Sequence, residues 1–292
     1  MHSIIDRLAD VSDRYDAAFV DLWGCLHNGR EPFPAAVAAL HAFVAKGGYV
    51  VLLTNAPRPQ EAVIMQLGKL DVPPDIWHAV VTSGDSTRAA VAAGRYGQKV
   101  FHLGPEKDSP FFAASAAVPG MERIRRVALE DAQGIVCTGL FDDRTETPED
   151  YAALLHTARI RGLPMICANP DIAVDFGHKR RFCAGALAQA YRDRGGEVCL
   201  FGKPHRPIYA LARRCLAQVS GRVIPDARIL GIGDGILTDV SGAARQGLDS
   251  LFISGGLAAA ETGTDRSPAP GKLAVFLQAH DISPTFTIGH LR

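Results

Sequence analysis

Short β-rich runs alternate with Ala/Leu-rich stretches of helical spacing along most of the chain, and this alternation constrains the fold more than any other feature. Because such alternation is typical of parallel sheets covered by helices, we predict an α/β fold: a Rossmann-like core with a parallel sheet and helices on both faces. The predicted strands are Ala17–Val20, Tyr49–Leu53, Ala79–Val81, Val100–Leu103, Ile135–Thr138, Pro164–Cys167, Val198–Phe201, Arg228–Ile232 and Ser250–Ile253. The predicted helices are Pro34–Lys46, Arg58–Leu67, Ser86–Ala93, Pro148–Arg161, Gly185–Arg194 and Pro207–Ala217.

The charge of the chain is balanced, with 31 lysines and arginines against 31 aspartates and glutamates. Such a chain has no net field that would attract nucleic acid or an anionic membrane, so any anion has to be captured locally. The six cysteines form no C-x-x-C pair, which argues against a zinc site or a disulfide framework and for a reducing compartment. The apolar runs are too short to cross a bilayer. We therefore expect a cytoplasmic protein whose partners are neither nucleic acids nor membranes.

Polar residues accumulate at the ends of four predicted strands. Ligands of parallel sheets bind beyond the carboxyl ends of the strands, so residues that are distant along the chain are expected to meet there. These residues are Asp21, the pair Thr54 and Asn55, Lys203, and the pair Asp234 and Asp239. Each has an ordinary explanation when taken alone, but their order and their common position indicate one shared site.

The first two strand ends carry groups that suit phosphate chemistry. Asp21 follows a buried strand, so its carboxylate could accept a phosphoryl group as a nucleophile, or it could simply end the strand in a turn. Thr54 and Asn55 precede a segment that becomes helical. They could bind phosphate oxygens together with backbone N–H groups, or they could cap that helix.

The last two strand ends carry charge of opposite sign. Lys203, held between a glycine and a proline, could neutralise both a nucleophile and a phosphate, or it could be an ordinary surface lysine. Asp234 and Asp239 bracket a glycine-rich turn, and their hard oxygen ligands suit Mg²⁺. A dinucleotide site is disfavoured because the glycines of this turn lack the G-x-G-x-x-G spacing.

From about Asp16 to Gly256 the chain resembles the haloacid dehalogenase-like superfamily. The resemblance is to its class IIA branch, which includes nitrophenylphosphatase-like, nucleotide and pyridoxal phosphate phosphatases. The motifs that carry it are Gly202-Lys203-Pro204, Gly233-Asp234 with Thr238-Asp239, and Asn169-Pro170-Asp171.

This resemblance implies a Mg²⁺-dependent phosphatase that acts on a small-molecule phosphate ester through an aspartyl-phosphate. The ester would be of the sugar phosphate, nucleotide or pyridoxal phosphate type. Asp21 would be the nucleophile, Thr54 a phosphate-binding hydroxyl and Lys203 the charge-balancing lysine. Asp234 would bind the metal directly, and Asp239 would orient the metal ligands. The resemblance also implies a catalytic core of residues 1–85 and 198–292, interrupted at 86–197 by an inserted α/β cap domain that selects the substrate. Relatives often form homodimers through that cap.

Trp23 departs from the family pattern, which has a second Asp at this position. Its backbone carbonyl can still bind Mg²⁺, but an indole N–H cannot protonate a leaving group or activate water. Loss of a general acid costs about 10²- to 10⁴-fold in rate, so hydrolysis would be weakened and not excluded. The side chain could stack on a flat substrate ring or pack in the core beside Leu26.

Three consequences of Trp23 stay open. The enzyme could prefer leaving groups that need no proton, or another residue could serve as acid and base. For that role we single out His27, which could equally be a surface loop residue. Alternatively, the protein could be a weakened sensor that binds a phosphorylated metabolite without turnover. A receiver-like signalling domain is a further alternative, which the large insert and the late acidic pair disfavour.

The inserted segment offers weaker signals. Asn169 and Asp171 could contact substrate hydroxyls, although Asn-Pro-Asp is also an ordinary turn sequence. The basic run of His178, Lys179, Arg180 and Arg181 could attract an anionic substrate or merely be solvated.

Overall fold

The computed structural model describes residues 3–115, 118–176 and 179–292. Their strands are β1 (Ser3–Ile4), β2 (Ala17–Val20), β3 (Tyr49–Thr54), β4 (Ala79–Thr82), β5 (Lys99–Leu103), β6 (Arg125–Arg126), β7 (Gly134–Cys137), β8 (Met165–Cys167), β9 (Ala173–Phe176), β10 (Lys179–Phe182), β11 (Val198–Leu200), β12 (Ile229–Gly233), β13 (Asp249–Ile253) and β14 (Phe286–Ile288). Their α-helices are α1 (Pro34–Ala45), α2 (Gln60–Lys69), α3 (Ser83–Ala92), α4 (Ala152–Ile160), α5 (Ala184–Asp193), α6 (Arg206–Ser220), α7 (Ser241–Arg245), α8 (Ala259–Thr262) and α9 (Pro270–His280). None of the helices in these ranges is long and apolar enough to span a membrane.

The larger sheet has the strand order β1-β14-β13-β12-β2-β3-β4, and all of its neighbouring strands are parallel. Because β2 lies between β12 and β3, the residues that follow these three strands meet at one edge of the sheet. Both faces are buried. Ala18 and Val20 pack with α1 and α2 on one face, whereas Ala17 and Phe19 pack with α6 on the other. This two-sided burial confirms the predicted α/β fold and explains why the strand is apolar at every position.

The smaller sheet has the order β11-β8-β7-β5-β6 and is also parallel. Two predicted boundaries of the insert need correction. The sequence placed residue 198 in the core, but β11 pairs with β8 in the smaller sheet, so the chain returns to the larger sheet only after Leu200. The predicted start at residue 86 falls inside α3, whose Val91 and Ala92 pack with residues of the smaller sheet.

A two-stranded antiparallel ribbon, β9 with β10, follows β8 and was not predicted. The predicted basic run falls here. His178 lies outside the described residues, Lys179 and Arg180 are exposed, and Arg181 forms an ion pair with Asp143 at 3.2 Å. The ribbon therefore places Arg181 against the rest of the insert.

Candidate active site

The predicted strand ends converge on the buried ammonium of Lys203. Its Nζ lies 2.7 Å from Oδ1 of Asp21 and 2.7 Å from Oδ1 of Asp239. Asp21 follows β2 directly, and its backbone N–H donates to the carbonyl of Ile232 in the neighbouring β12. Asp239 is held a second time, because its Oδ2 accepts the backbone N–H of Gly235 at 3.1 Å. The structure thus brings the predicted nucleophile and the predicted lysine into direct contact.

Asp234 lies close to Asp21. Single ligand atoms of Asp21, Asp234 and Cys25 lie within 4.8 Å of one another. The backbone N–H of Leu257 donates to Oδ2 of Asp234 at 2.9 Å and fixes that carboxylate. Gly24 has φ +73°, and a Cβ at this position would collide with the carboxylate of Asp234. The glycine therefore supplies both the turn after β2 and the space for the carboxylate.

These donor groups fit a hard divalent cation. Three carboxylates, those of Asp21, Asp234 and Asp239, are buried around one ammonium, that of Lys203. Burial and the two neighbouring carboxylates raise the pKa of Asp234 well above its usual value, which indicates a deficit of positive charge. Oxygen ligands and this deficit both match Mg²⁺. Burial also raises the pKa of Cys25, so its sulfur is a protonated thiol and a poor ligand for such a cation.

Asp239 contacts the lysine and lies outside the candidate metal group. Its two oxygens bind Lys203 and Gly235, and it is not part of the group formed by Asp21, Cys25 and Asp234. It therefore positions the lysine. Burial favours the neutral amine of Lys203, but Asp21 and Asp239 outweigh this effect and raise the pKa of Lys203, which stays charged.

Asn55, which follows a strand of the larger sheet, forms hydrogen bonds to Lys203 and to the inserted segment. Its Oδ1 accepts the backbone N–H of Lys203 at 2.7 Å, and its Nδ2 donates to the Lys203 carbonyl at 3.2 Å. The same Nδ2 donates to Oδ1 of Asp171, in the insert, at 2.8 Å. Asn169 fixes the backbone of this residue, because its Oδ1 accepts the backbone N–H of Asp171 at 3.0 Å. The Asn-Pro-Asp motif thus reaches the site through Asp171.

Thr54 and Asn55 do not cap the helix that follows them. That helix, α2, begins only at Gln60, whose N–H is capped by Oδ2 of Asp85 at 2.9 Å. Oγ1 of Thr54 instead accepts the N–H of Ala56 at 3.2 Å, and the residue is buried at the site. The helix terminus is therefore occupied by a side chain of the protein.

His27 is buried, which contradicts its interpretation as a surface loop residue. Only 1% of the residue is exposed, so it is not a surface loop residue. Burial lowers the pKa of His27 to about 4, and its Nδ1 accepts the N–H of Gly29 at 3.1 Å. The ring packs edge-on against Trp23, with 5.1 Å between centroids. His27 thus packs beside Trp23, and its lowered pKa disfavours service as a general acid.

Two cavities meet at Asp21. The insert cavity, of about 320 Å³, lies between the sheets and is lined by Thr54, Asn55, Arg58, Asp108, Thr138 and Asn169, among others. The core cavity, of about 310 Å³, is lined by Gly24, Lys203, Asp234, Asp239, Gly256 and Leu257, among others. Within the described ranges, the residues that line both are Asp21, Trp23, Asp171 and Val174. Trp23 is thus partly exposed to both cavities, as its position beside the nucleophile predicted, although it also packs against the core.

Sequence reasoning missed the polar residues of the insert cavity. Arg58 reaches it from the larger sheet, and Asp108, Thr138 and Asp143 reach it from the smaller one. No spacing or motif marks Asp108, Thr138 and Asp143, which come from two different connections of the smaller sheet. Arg58 alone carried a signal, since it lies four residues after Thr54 in the same strand-to-helix connection.

Comparisons with known proteins point to one family. One family model, described as haloacid dehalogenase-like hydrolase, matches residues 18–115, and another, described as HAD-hydrolase-like, matches residues 200–278. A hydrolase of the haloacid dehalogenase-like family from Brucella suis has a similar structure. It is 44% identical, with a TM-score of 0.87, and the match covers 99% of this chain and 100% of that one.

Two named proteins are more distant relatives. The 5′-nucleotidase YutF of Bacillus subtilis is 24% identical over 265 residues, covering 88% of this chain and 93% of that protein. The D-glycerol 3-phosphate phosphatase of Mycobacterium tuberculosis is 28% identical over 253 residues, covering 86% of this chain and 66% of that protein. Crystal structures of a glycerol phosphate phosphatase from the same organism hold calcium or magnesium.

Proposed function

The chain belongs to the haloacid dehalogenase-like hydrolase family, as its motifs predicted, and we propose that it hydrolyses small-molecule phosphate monoesters in a Mg²⁺-dependent reaction through a phosphoaspartyl intermediate on Asp21. The observation that carries the proposal is the ion pair of Asp21 with Lys203, at the junction of two cavities. The names of the matched relatives, a 5′-nucleotidase and a glycerol phosphate phosphatase, support an enzyme over a sensor.

The first step transfers the phosphoryl group to Asp21. Lys203 holds Oδ1, so Oδ2 is the oxygen that we assign to the attack on phosphorus. The new P–O bond forms as the ester P–O bond breaks, and the leaving group departs with the bonding electrons. The Lys203 ammonium and the hydroxyl of Thr54 stabilise the charge that gathers on the phosphoryl oxygens. Mg²⁺, held by Asp21, Asp234 and the Trp23 carbonyl, would supply further charge stabilisation.

Asp171 is the group that we assign to protonating the leaving group. It lines both cavities beside Asp21 and Trp23, and Asn55 holds its Oδ1, which leaves Oδ2 for the substrate. Burial raises the pKa of Asp171, which favours the protonated carboxyl that a general acid requires. Once the leaving group has gone, the resulting carboxylate accepts a proton from the water that attacks the phosphoaspartyl group. That attack releases inorganic phosphate and restores the Asp21 carboxylate.

The insert is the cap in this proposal. It supplies Asp171 and one wall of the insert cavity, so the catalytic groups are complete only when the two sheets approach each other. Closure would also exclude water from the phosphoaspartyl group during the first step. Asn169 supports this arrangement by fixing the backbone of Asp171. Pairing of two copies through the cap stays a prediction.

The experiment is a screen of phosphate esters with Mg²⁺ or with a chelator, on the unsubstituted chain and on Asp21→Asn and Trp23→Asp. We expect turnover that the chelator abolishes and that Asp21→Asn lacks. Full activity of Asp21→Asn would contradict the mechanism. An inert unsubstituted chain, with turnover only in Trp23→Asp, would favour the sensor.

A further inference from the structure

The sulfur of Cys25 lies beside the two carboxylates that we assign to Mg²⁺, although the proposed reaction does not use it. Only 1% of the residue is exposed, and ligand atoms of Asp21, Cys25 and Asp234 all lie within 4.8 Å of one another. Across residues 3–115, 118–176 and 179–292, no other three acidic, histidine or cysteine side chains approach so closely. Within the same ranges the thiol has no hydrogen-bond partner. A buried thiol without a partner, next to two carboxylates, is a candidate metal ligand.

The turn after β2 fixes the position of this sulfur. The N–H of Leu26 donates to the carbonyl of Leu22 at 2.8 Å, and the N–H of Gly24 donates to the carbonyl of His27 at 3.0 Å. Cys25 lies within this turn and belongs to the same buried cluster as Leu22 and Leu26. Backbone hydrogen bonds and packing therefore hold the thiol beside the two carboxylates.

Hard and soft cations would use these three side chains differently. Mg²⁺ prefers oxygen ligands, so it can bind Asp21 and Asp234 and leave the thiol protonated. Thiolate ligands instead select ions such as Zn²⁺, and Cd²⁺ shares this preference. Zn–S and Zn–O bonds of about 2.3 and 2.1 Å place two ligand atoms of a tetrahedral site roughly 3.6 Å apart. Side-chain shifts of about 1 Å would therefore close the three ligands around one such ion.

We propose that Asp21, Cys25 and Asp234 form a site for thiophilic divalent cations, such as Zn²⁺ and Cd²⁺, in which the Cys25 thiolate is a ligand. Binding forms a metal–sulfur bond, breaks a metal–water bond and releases the thiol proton to the buffer, with no change of oxidation state. Such an ion would displace Mg²⁺ and occupy the Asp21 carboxylate, so it would inhibit hydrolysis. The inhibition rests on the proposed function, whereas the metal–sulfur bond does not.

The metal–sulfur bond is tested by titrating the full, metal-free chain with Cd²⁺ alone. A cadmium–thiolate bond has an ultraviolet charge-transfer band, which a cadmium–carboxylate bond lacks. Cys25→Ala removes the sulfur. The matched control is Cys215→Ala, which removes a partly buried free cysteine of α6. Asp234→Asn keeps all six cysteines and changes only a neighbouring carboxylate.

We expect the band to saturate at one Cd²⁺ per chain in the unsubstituted protein and in Cys215→Ala, and to be missing at that ratio in Cys25→Ala. Asp234→Asn should need at least about tenfold more Cd²⁺ to reach the same band, because even an outer partner of a metal ligand typically contributes that much affinity. Since this variant retains Cys25, the result does not depend on the folding of one variant.

The same band in Cys25→Ala, or an unchanged Cd²⁺ affinity in Asp234→Asn, would overturn the inference. Zn²⁺ should inhibit Mg²⁺-dependent turnover of the unsubstituted chain at a concentration roughly tenfold lower than it needs for Cys25→Ala, and equal inhibition would also count against Cys25 as a ligand. A chain that binds Cd²⁺ through Cys25 but hydrolyses no phosphate ester with Mg²⁺ would contradict the proposed function alone.

Discussion

Replacing Lys203 by Met should destabilise the protein severely, although the side chains are similar in size. Lys203 makes 2.7 Å contacts with both Asp21 and Asp239, and all three residues are buried. Its removal leaves two carboxylates without their cation, next to a third on Asp234. Breaking a buried ion pair typically costs about 3–5 kcal/mol, and we expect the free energy of unfolding to fall by that amount at pH 7.5.

The stability lost in Lys203→Met should depend on the pH and on whether Asp239 is present. Burial raises the pKa of Asp239 to about 6, and Lys203 opposes that rise. Without the lysine the carboxylates are harder to ionise in the folded state, so the variant takes up protons when it folds. Its loss of unfolding free energy relative to the unsubstituted chain should therefore shrink as the pH falls from 8 towards 5.5. Adding Asp239→Asn removes one of the unpaired charges, so the double variant should be more stable than the sum of the single effects predicts.

The assay is guanidinium unfolding of Lys203→Met, Asp239→Asn and the double variant at several pH values. Lys46→Met is the control, because Lys46 contacts Asp13 at 2.9 Å on an exposed surface and its loss should change little. A cost for Lys203→Met below about 1 kcal/mol, or one that does not change with pH, would refute the reasoning.

Three further variants test separate parts of the site. Because burial lowers the pKa of His27 to about 4, the fold should lose about 3 kcal/mol as the pH falls from 6.5 towards 4; pH-dependent unfolding should show a smaller loss in His27→Gln. Gly24→Ala should cost more stability than Gly47→Ala, since both have positive φ but only the first would collide with Asp234; equal melting temperatures would contradict this. Asp171→Asn should lower kcat/KM for alkyl phosphates by about 10²- to 10⁴-fold and kcat/KM for 4-nitrophenyl phosphate far less. Adding Trp23→Asp should restore the turnover of alkyl phosphates. Equal losses on both substrates would contradict the role of Asp171 as the acid.

The sequence predicted the convergence of Asp21 and Asp234 because each follows a strand of the larger sheet, and parallel strands share one edge. Lys203 was expected there by the same rule, but it follows β11 of the smaller sheet, so the shared edge does not explain its contact with Asp21. The sequence could not predict that Asp239 would contact the lysine together with Asp21, because that contact depends on the π-helical turn Ile236–Val240, which carries Asp239 back to Lys203. The side chains of the insert cavity were equally hidden, since they come from loops on two different sheets.

Two local predictions failed for physical reasons that are visible in the chain. Helix α2 begins at Gln60 and not at Arg58, because the residue before a proline is disfavoured in helical conformation and Pro59 follows Arg58. His27 was expected either to serve as acid and base or to lie in a surface loop, but the turn after β2 folds back. The N–H of His27 bonds to the carbonyl of Leu22, which buries the ring. A surface position inferred only from the polarity of the His27 side chain was therefore wrong.

The most direct test of the account is chemical trapping of the phosphorylated side chain. The unsubstituted chain is mixed with a hydrolysed phosphate ester and Mg²⁺, quenched in acid and reduced with borohydride, which converts a phosphoaspartyl group to homoserine. We predict homoserine at position 21 in the peptide mass spectrum, only when substrate is present. Turnover with an unmodified Asp21, or homoserine at another aspartate, would contradict the account.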